Sequence, residues 1–312
     1  MTKNPRAPDL AYVALVVDEP ERSAELFEKD FGLPRQDFVC ARSTIPVITV
    51  GASALALFRP DDPFLGPDAK KGVHHVAIAA ADPQAAATGT GLAAEGSAST
   101  GLGGKEQIAL SPQATSGVRV RFTQSLGLAP ASSDIVERID HIGVASADNL
   151  AARTAFIDKL GCVYESQQTD SEVETISENF TSDTYNYIFH TRPSHLVGSM
   201  RVTFITVGDC EFEFIQDLTT SVTADDARHD AAGNTRGDRS AIARYVASRG
   251  AGLHHIAFKT PDIAAALGRL HRAGHRMIDL QGRPGSRRAQ IGFIHPASLG
   301  GVLGHFVQRE EI

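Results

Sequence analysis

Four short apolar stretches share one pattern, and each leads into a segment with helical periodicity. The stretches are LAYVALVV (10–17), HHVAIAAA (74–81), IDHIGVAS (139–146) and HHIAFKTP (254–261). A polar start signal and an amphipathic run come directly after each one, which is typical of a strand that leads into a helix. Gly32, Gly161 and Gly274 stand where three of these helices are expected to end, since a left-handed cap favours glycine.

Each helical run precedes several short stretches with β propensity, of which the last is strongly apolar or alternating. These last stretches are ALALF (54–58), GVRVRF (117–122), CEFEF (210–214) and GVLGHF (301–306). The repeating unit is therefore β-α-β-β-β, and four such units predict an α+β fold. We divide the chain into an N-terminal domain (1–123), a linker rich in Ser, Ala, Gly and Pro (124–138) and a C-terminal domain (139–312).

The composition fits a globular protein of two domains. The chain has 312 residues and a formal net charge of -7, whereas a single core stops growing near ~250–300 residues. The negative charge disfavours nucleic acid or an anionic membrane as the main partner. The three cysteines are scattered, which indicates a reducing compartment. We recognise neither a signal peptide nor a membrane-spanning apolar run, so a cytoplasmic location is expected.

The third unit is longer than the others because it contains two extra segments. The first, TISENFTSDTYNYIFHTRPSHLVG (175–198), is polar and aromatic. The second, TADDARHDAAGNTRGDR (223–239), is charged and lacks large apolar residues. Long loops in compact domains are usually functional or disordered. We interpret the first segment as a lid and the second as a solvated loop.

The repeat pattern resembles that of the vicinal oxygen chelate superfamily, which includes glyoxalase I, methylmalonyl-CoA epimerase, extradiol dioxygenases and bleomycin-resistance proteins. The C-terminal half most resembles methylmalonyl-CoA epimerase, through GLHHIAF (252–258), RPG (283–285), FIHP (293–296) and GGVL (300–303). The resemblance implies two tandem domains. In each, two units would wrap a curved sheet around one site, with metal ligands on the first and last strand of each unit.

Carried over position by position, the resemblance implies one metal site in the C-terminal domain. Its ligands would be His141, Glu213, His255 and His305. The matching positions of the N-terminal domain are Tyr12, Ala56, His75 and Arg121, which cannot bind a metal in the same way. We therefore expect a degenerate N-terminal domain and a catalytic C-terminal domain with one divalent ion, which could be zinc, manganese, cobalt, nickel or ferrous iron.

Strand alternation bears on two of these ligands. Only one of His254 and His255 can face the pocket, and the resemblance selects His255. The stretch CEFEF places Glu211 and Glu213 on one face, and burying two carboxylates would be costly without a cation. The alternative is an edge strand whose acidic face meets solvent.

The sequence offers several candidate residues for transfer of the substrate's α-proton. In the epimerase, a glutamate on the last strand binds the metal and a second glutamate shuttles the α-proton; these positions are His305 and Val202 here. Epimerisation needs a base on one face of the carbon and an acid on the other. Our candidate catalytic residues are Glu213, Glu211, Tyr185 and Tyr187, with a metal-bound hydroxide as the alternative.

A basic turn is the candidate binding site for an anionic substrate. It contains Arg283, Arg287 and Arg288 in the stretch QGRPGSRR. Guanidinium groups bind carboxylates and phosphates through paired hydrogen bonds. An exposed basic turn without a ligand is the commoner explanation of such a stretch.

The resemblance implies a metal-dependent isomerase or epimerase that acts next to a carbonyl of a polar small molecule through a metal-stabilised enediolate. One alternative is an Fe(II) extradiol-type dioxygenase of a vicinal diol, which would use two histidines and Glu213. The other is a resistance or binding protein that sequesters its ligand. In each case the partner is a small molecule rather than nucleic acid or a membrane. Superfamily members often dimerise, so a homodimer is compatible with each hypothesis.

Overall fold

The protein is described by a computed structural model that covers residues 7–67, 69–219 and 235–310. The N-terminal part forms one eight-stranded sheet with two helices. Its strands are β1 (Leu10–Val16), β2 (Arg35–Cys40), β3 (Ser43–Val50), β4 (Ser53–Phe58), β5 (Gly72–Ala79), β6 (Ala94–Thr100), β7 (Glu106–Leu110) and β8 (Val120–Thr123). Its helices are α1 (Pro20–Lys29) and α2 (Pro83–Thr90).

The C-terminal part repeats this arrangement and adds a separate hairpin. The strands of its large sheet are β9 (Arg138–Ser146), β10 (Val163–Glu174), β13 (His195–Val207), β14 (Cys210–Asp217), β15 (Gly252–Lys259), β16 (Arg283–Pro284), β17 (Gln290–Ile294) and β18 (Gly304–Gln308). The hairpin consists of β11 (Ser177–Ser182) and β12 (Asn186–Thr191). The helices are α3 (Asn149–Arg153), α4 (Thr235–Arg249) and α5 (Ile263–Arg272).

Each large sheet is made of two β-α-β-β-β units that meet at its centre. The strand order is β2-β3-β4-β1-β5-β8-β7-β6 in the first sheet and β10-β13-β14-β9-β15-β18-β17-β16 in the second. The central strands, β1 with β5 and β9 with β15, pair antiparallel. The first and last strands of each unit pair in parallel. The predicted α+β fold of four repeated units in two tandem domains is confirmed.

Aspartates begin three of the helices, as the polar start signals predicted. Asp82, Asp148 and Asp262 each accept a hydrogen bond from a backbone N–H of the first turn, at 2.8, 2.8 and 3.0 Å. Such caps satisfy N–H groups that have no partner inside the helix. Gly274 follows α5 with a φ of 89°, a conformation that glycine adopts without steric cost. Among the described residues, no helix is long and apolar enough to cross a membrane.

The two insertions of the third unit differ from each other in structure. Within 175–198, β11 and β12 form a largely exposed hairpin at the end of the long strands β10 and β13. Of the predicted solvated loop, residues 223–234 lie outside the described part of the chain. Residues 235–239 form the start of α4, so the loop prediction is wrong there. The reason is tertiary packing, because Ile242 of this otherwise polar helix is buried with Ala145 and Met200.

One apolar core connects the two sheets. Phe27 of α1 and Phe31, two residues after its end, contact Phe258 of β15, with ring centroids 6.0 and 5.4 Å apart. Phe31 also stacks on Phe306 of β18 at 5.6 Å. These rings belong to a single cluster of buried residues that draws on both sheets. The first helix of the N-terminal domain is therefore part of the core that supports the C-terminal sheet.

Candidate metal centre

Four buried side chains converge on one face of the C-terminal sheet, which we call its inner face. They are His141 on β9, Glu213 on β14, His255 on β15 and His305 on β18. Gly143 of β9 pairs with Glu213 and with His255, while Ala257 of β15 pairs with His141 and His305. The sheet register thus brings together the four side chains that the sequence predicted as metal ligands.

The donor atoms of this group are close to one another. One ring nitrogen from each of the three histidines lies within 4.8 Å of the others. The Nε2 atoms of His141 and His255 are 3.3 Å apart, and Glu213 Oε2 lies 3.2 and 3.4 Å from them. None of the four residues is more than 6% exposed. Imidazoles and a carboxylate in this proximity are a donor set that suits zinc and the other first-row divalent metals.

The electrostatics of the group favour a positive charge at its centre. Burial by itself would lower the pKa of His141, but the negative charges of Glu213 and Asp140 outweigh it and raise that pKa to about 9. Burial would likewise raise the pKa of Glu213, yet His141 and His255 hold it well below its ordinary value. A buried carboxylate among three rings is stabilised by a cation, either a proton on a histidine or a metal ion.

His305 provides a second indication of a missing partner. Its buried Nδ1 has no hydrogen-bond partner among the described residues, although buried polar atoms are nearly always paired. Burial and the nearby His141 and His255 hold the pKa of His305 well below its ordinary value, so the ring is neutral. Phe293 covers the ring at a centroid distance of 4.5 Å. A neutral, buried imidazole with an unpaired nitrogen fits a metal ligand.

Gly143 makes room for the ring of His255. A Cβ atom at position 143 would lie 2.0 Å from Cε1 and 2.2 Å from Nδ1 of His255. These distances are far below any van der Waals contact, so a side chain at this position would displace the ring. Gly143 is required because the imidazole lies directly on its backbone.

Asp140 orients His141 from the opposite side. Its Oδ2 accepts a hydrogen bond from Nδ1 of His141 at 2.9 Å, which leaves Nε2 to face the other donor atoms. Arg309 binds Asp140 in turn and contacts Glu211 at 3.3 Å. A carboxylate behind a ligating histidine fixes the ring and its tautomer in many metal sites.

Glu211 lies beside the group but is held in ion pairs. Its Oε1 accepts a hydrogen bond from Nη1 of Arg287 at 3.0 Å, and its Oε2 binds Nη2 of the same guanidinium. Arg287 also contacts Glu165 at 3.0 Å and lies 3.6 Å above the ring of Phe204. The Glu211 carboxylate is thus part of a rigid charged network at the edge of the site.

The other two arginines of the predicted anion-binding turn face elsewhere. Arg283 contacts Asp279 at 3.3 Å and lies 5.1 Å above the ring of Phe293. Arg288 is exposed and lines a separate cavity of about 720 Å³. The guanidinium groups of the three arginines therefore do not converge on one point.

Tyr185 and Tyr187 lie away from the converging side chains. Tyr185 belongs to the turn of the β11–β12 hairpin and is 78% exposed, and Tyr187 on β12 is 60% exposed. In the described part of the chain, no hydrogen bond or ring contact connects either tyrosine with the group. A contribution from them would require the hairpin to move.

A further carboxylate faces the site from β10. Ser166 pairs with Phe204, and Phe204 pairs with Glu213, so the even-numbered residues of β10 from 166 to 172 lie on the inner face. Asp170 is one of these, and its Oδ1 accepts a hydrogen bond from Gln168 at 2.6 Å. Burial raises the pKa of Asp170; the hydrogen bond lowers it, and the charge of Glu213 raises it further.

Asp170 is also next to the position at which the epimerase has its second glutamate. Gln168 pairs with Val202, the residue at that position, and Asp170 pairs with Met200 on the same face. The inner face therefore presents a carboxylate from β10 in the region where β13 carries apolar side chains.

A sequence model of the glyoxalase/bleomycin resistance protein/dioxygenase superfamily matches residues 140–293, a range that includes three of the four converging side chains. The C-terminal half of the chain belongs to this superfamily. It is the vicinal oxygen chelate superfamily that the sequence resembles, and we use that name for the two domains.

Three proteins illustrate the similarity. An ethylmalonyl-CoA/methylmalonyl-CoA epimerase of Cereibacter sphaeroides is 25% identical over 172 residues, which are 54% of this chain and 96% of the epimerase. The uncharacterized protein YqjC of Bacillus subtilis is 25% identical over 168 residues, 54% of this chain and 89% of YqjC. A mutant 4-hydroxymandelate synthase from Streptomyces coelicolor superposes with a TM-score of 0.61 at 16% identity, covering 97% of this chain and 93% of that chain. This last likeness shows that both domains share its fold.

The N-terminal vicinal oxygen chelate domain has different side chains at the equivalent register positions. These are Tyr12, Ala56, His75 and Arg121, paired through Ala14 and Ala77. His75 Nε2 is 3.3 Å from the Tyr12 hydroxyl, and the Arg121 guanidinium lies 4.4 Å above the ring of Phe64. A cluster of buried apolar residues that includes Phe58 and Leu102 fills this face. The second site is thus replaced by packed side chains.

The buried histidines of the N-terminal domain predict a loss of stability in acid. Burial, with Arg119 and Arg121 nearby, lowers the pKa of His74 to about 3, whereas an unfolded chain binds this proton near pH 6.5. Stability is therefore complete above pH 6.5 and falls as the pH drops toward 3, by at most about 1.4 kcal/mol per pH unit for this residue.

The contribution of His74 can be isolated by substitution. Unfolding of the His74→Gln variant should take up roughly one proton fewer than unfolding of the wild type near pH 5, because glutamine does not titrate. The urea midpoint of the variant should therefore fall less between pH 7 and pH 5. The exposed variant His271→Gln on α5 is the control. An unchanged dependence in His74→Gln would contradict the assignment.

Four residues around the site were not predicted from the sequence, although the sequence positions of three of them could have indicated a role there. Asp140 directly precedes a predicted ligand, Gly143 follows it by two residues, and Asp170 belongs to the alternating polar run SQQTDSE (166–172). The sequence position of Arg309 could not indicate its role, because its contacts with Asp140 and Glu211 depend on tertiary structure.

Proposed function

We propose that the protein is a metal-dependent isomerase or epimerase that acts next to a carbonyl of a polar small molecule. The observation that carries this proposal is the convergence of four buried donor side chains, one of which has an unpaired ring nitrogen. His141, Glu213, His255 and His305 would hold one divalent ion. When bound, such an ion supplies a Lewis acid that stabilises negative charge on the carbonyl oxygen.

The protein's own residues would have separate roles. Asp140 orients His141 through the 2.9 Å hydrogen bond, and Phe293 excludes water from His305. Glu211 is neutralised by Arg287 and Arg309, so it shapes the charge at the rim. We assign the removal of the α-proton to Asp170, whose side chain lies on the inner face of β10 and whose pKa is raised by burial and by the charge of Glu213.

A second candidate function is an Fe(II) dioxygenase of a vicinal diol. It is favoured by the contacts of Glu213 with both His141 and His255, since two histidines and one carboxylate suit ferrous iron. His305 would then be a neighbour of the metal instead of a ligand. The two functions differ in their use of oxygen, which makes them separable by experiment.

Solvent exchange distinguishes these functions. The protein, loaded in turn with zinc, manganese, cobalt, nickel or ferrous iron, is incubated in deuterated water with α-hydroxy ketones, cyclic polyol ketones and methylmalonyl-CoA. We expect deuterium at the α-carbon of one class without oxygen uptake. Oxygen consumption with iron and a catechol, without exchange in any ketone or thioester, would contradict the isomerase and support the dioxygenase.

Asp170→Asn tests the assignment of the base. We expect deuterium incorporation to fall by about 10²- to 10⁴-fold, since this is the usual contribution of a positioned base. Bound metal should be unchanged, because Asp170 is not one of the four donors. The matched control is Asp158→Asn, which changes the same charge on the short helical segment after α3. Wild-type exchange in Asp170→Asn would assign the proton transfer to another group.

A further inference from the structure

A cleft between the two domains concentrates positive charge. Two overlapping cavities of about 460 and 450 Å³ share six lining residues, so they form one continuous space. The basic side chains that line it are Lys70, Lys71, Arg119 and Arg249, and none of the described lining residues is an aspartate or glutamate. In a chain with a net charge of -7, this is a local reversal of sign.

Three of the four cations have no counter-ion among the residues that the structure describes. Lys71 contacts Asp18 at 2.9 Å. By contrast, Lys70, Arg119 and Arg249 form no ion pair with any residue that the structure describes. Like charges gathered in a cleft repel one another, and the repulsion grows where solvent is partly excluded. A multiply charged anion would remove this repulsion by pairing with all three.

Two backbone segments, one from each domain, are in close contact at the cleft. A Cβ atom on Gly117 would lie 2.1 Å from the carbonyl oxygen of Ala251, so the two chain segments touch directly. Arg119 follows the first of these residues by two positions, and Arg249 precedes the second by two. Both arginines line the same cavities next to this contact, one from each domain.

The back wall of the cleft is built from rigid polar groups. The Tyr245 hydroxyl donates a hydrogen bond to the carbonyl of Leu253 at 2.6 Å, and the ring of His254 packs edge-on against Tyr245 at 4.8 Å. Arg249 lies 5.4 Å above the same tyrosine ring, which positions its guanidinium. His74 lines the wall from the N-terminal domain. None of the four converging side chains of the candidate metal centre lines the cleft.

We propose that this interdomain cleft is a binding site for a small, soluble ligand with a diphosphate or similarly charged phosphate group. Arg119 and Arg249 would bind the phosphate oxygens from opposite sides through paired hydrogen bonds, and Lys70 would add a third positive charge. Because the ligand bridges the two domains, it stabilises their contact. The site does not depend on the proposed reaction.

The test is calorimetric titration of the metal-free 312-residue protein with inorganic pyrophosphate at low salt. We expect one binding site per chain with an affinity that decreases as salt is added. The double variant Arg119→Gln/Arg249→Gln should weaken binding by at least about 10-fold, since it removes two positive charges and their charge-assisted hydrogen bonds to the phosphate oxygens. The control Arg22→Gln/Arg272→Gln removes two exposed charges outside the cleft and should bind like the wild type.

Two results would overturn the proposal. One is equal binding by the cleft variant and the wild type. The other is an equal loss in the cleft and control variants, which would indicate attraction by overall charge. His255→Ala is included because pyrophosphate is also a metal ligand, and binding lost in this variant but kept in the cleft variant would place the anion at the candidate metal centre.

Discussion

Replacing His255 by alanine is expected to abolish stoichiometric metal binding. Changes to outer groups that only orient a ligand typically cost 10–100-fold in affinity, so loss of a donor should cost more than about 100-fold. The wild type, purified without chelator, should contain about one divalent ion per chain by elemental analysis. His255→Ala should contain none, and any solvent-exchange activity should disappear with the metal.

The matched control is His75→Ala in the other domain. His75 has the same register position as His255, follows a second histidine in the same way and is equally buried, but its neighbours are Tyr12 and apolar residues. Both substitutions remove a buried imidazole and should destabilise the fold to a similar degree. Metal that is retained in His255→Ala, or lost in His75→Ala, would refute the assignment of the centre to the C-terminal domain.

Gly143→Ala is expected to disable the centre without removing any donor atom. The new methyl group would overlap the ring of His255, at 2.0 Å from Cε1. Overpacking of a buried site costs about 1–3 kcal/mol of stability. We expect the ring to rotate away, with a loss of metal affinity of at least 10–100-fold, the effect usually seen when a ligand is misoriented.

Separate measurements of metal affinity and of the unfolding midpoint distinguish the loss of metal binding from the loss of stability. Gly89→Ala on α2 is the control, because a Cβ atom there meets nothing within 4 Å and its φ is not positive. It should stabilise the helix by up to about 1 kcal/mol and leave metal binding unchanged. A folded Gly143→Ala variant with wild-type affinity would show that His255 does not need the space above this glycine.

The fold could be predicted from the sequence because its repeats are local patterns. Apolar strands and glycine ends recur in each unit and aspartate caps in three of them, and the pairing of units follows from repetition. Helix α4 could not be predicted in this way, since its few apolar residues acquire meaning only through packing on β9 and β13. Propensity is overridden by tertiary contacts in such cases.

The part of the candidate site that is determined by the strand register could be predicted from the sequence. Once the central strands pair, His141, Glu213, His255 and His305 must share a face, so a comparison of strand positions finds them. The roles of Glu211 and Arg287 depended on side chains far apart in the chain. The Glu211–Arg287 ion pair joins residues of different units, which no local pattern encodes.

The shared core suggests how a domain without a metal centre persists in evolution. Phe27 of α1 and Phe31 just after it support Phe258 and Phe306, which lie on the strands that carry His255 and His305. The equivalent register positions of the N-terminal domain can therefore hold tyrosine, alanine and arginine without loss of this support. The N-terminal domain then behaves as a folding scaffold, and deleting it would remove the support of the half that carries the candidate metal centre.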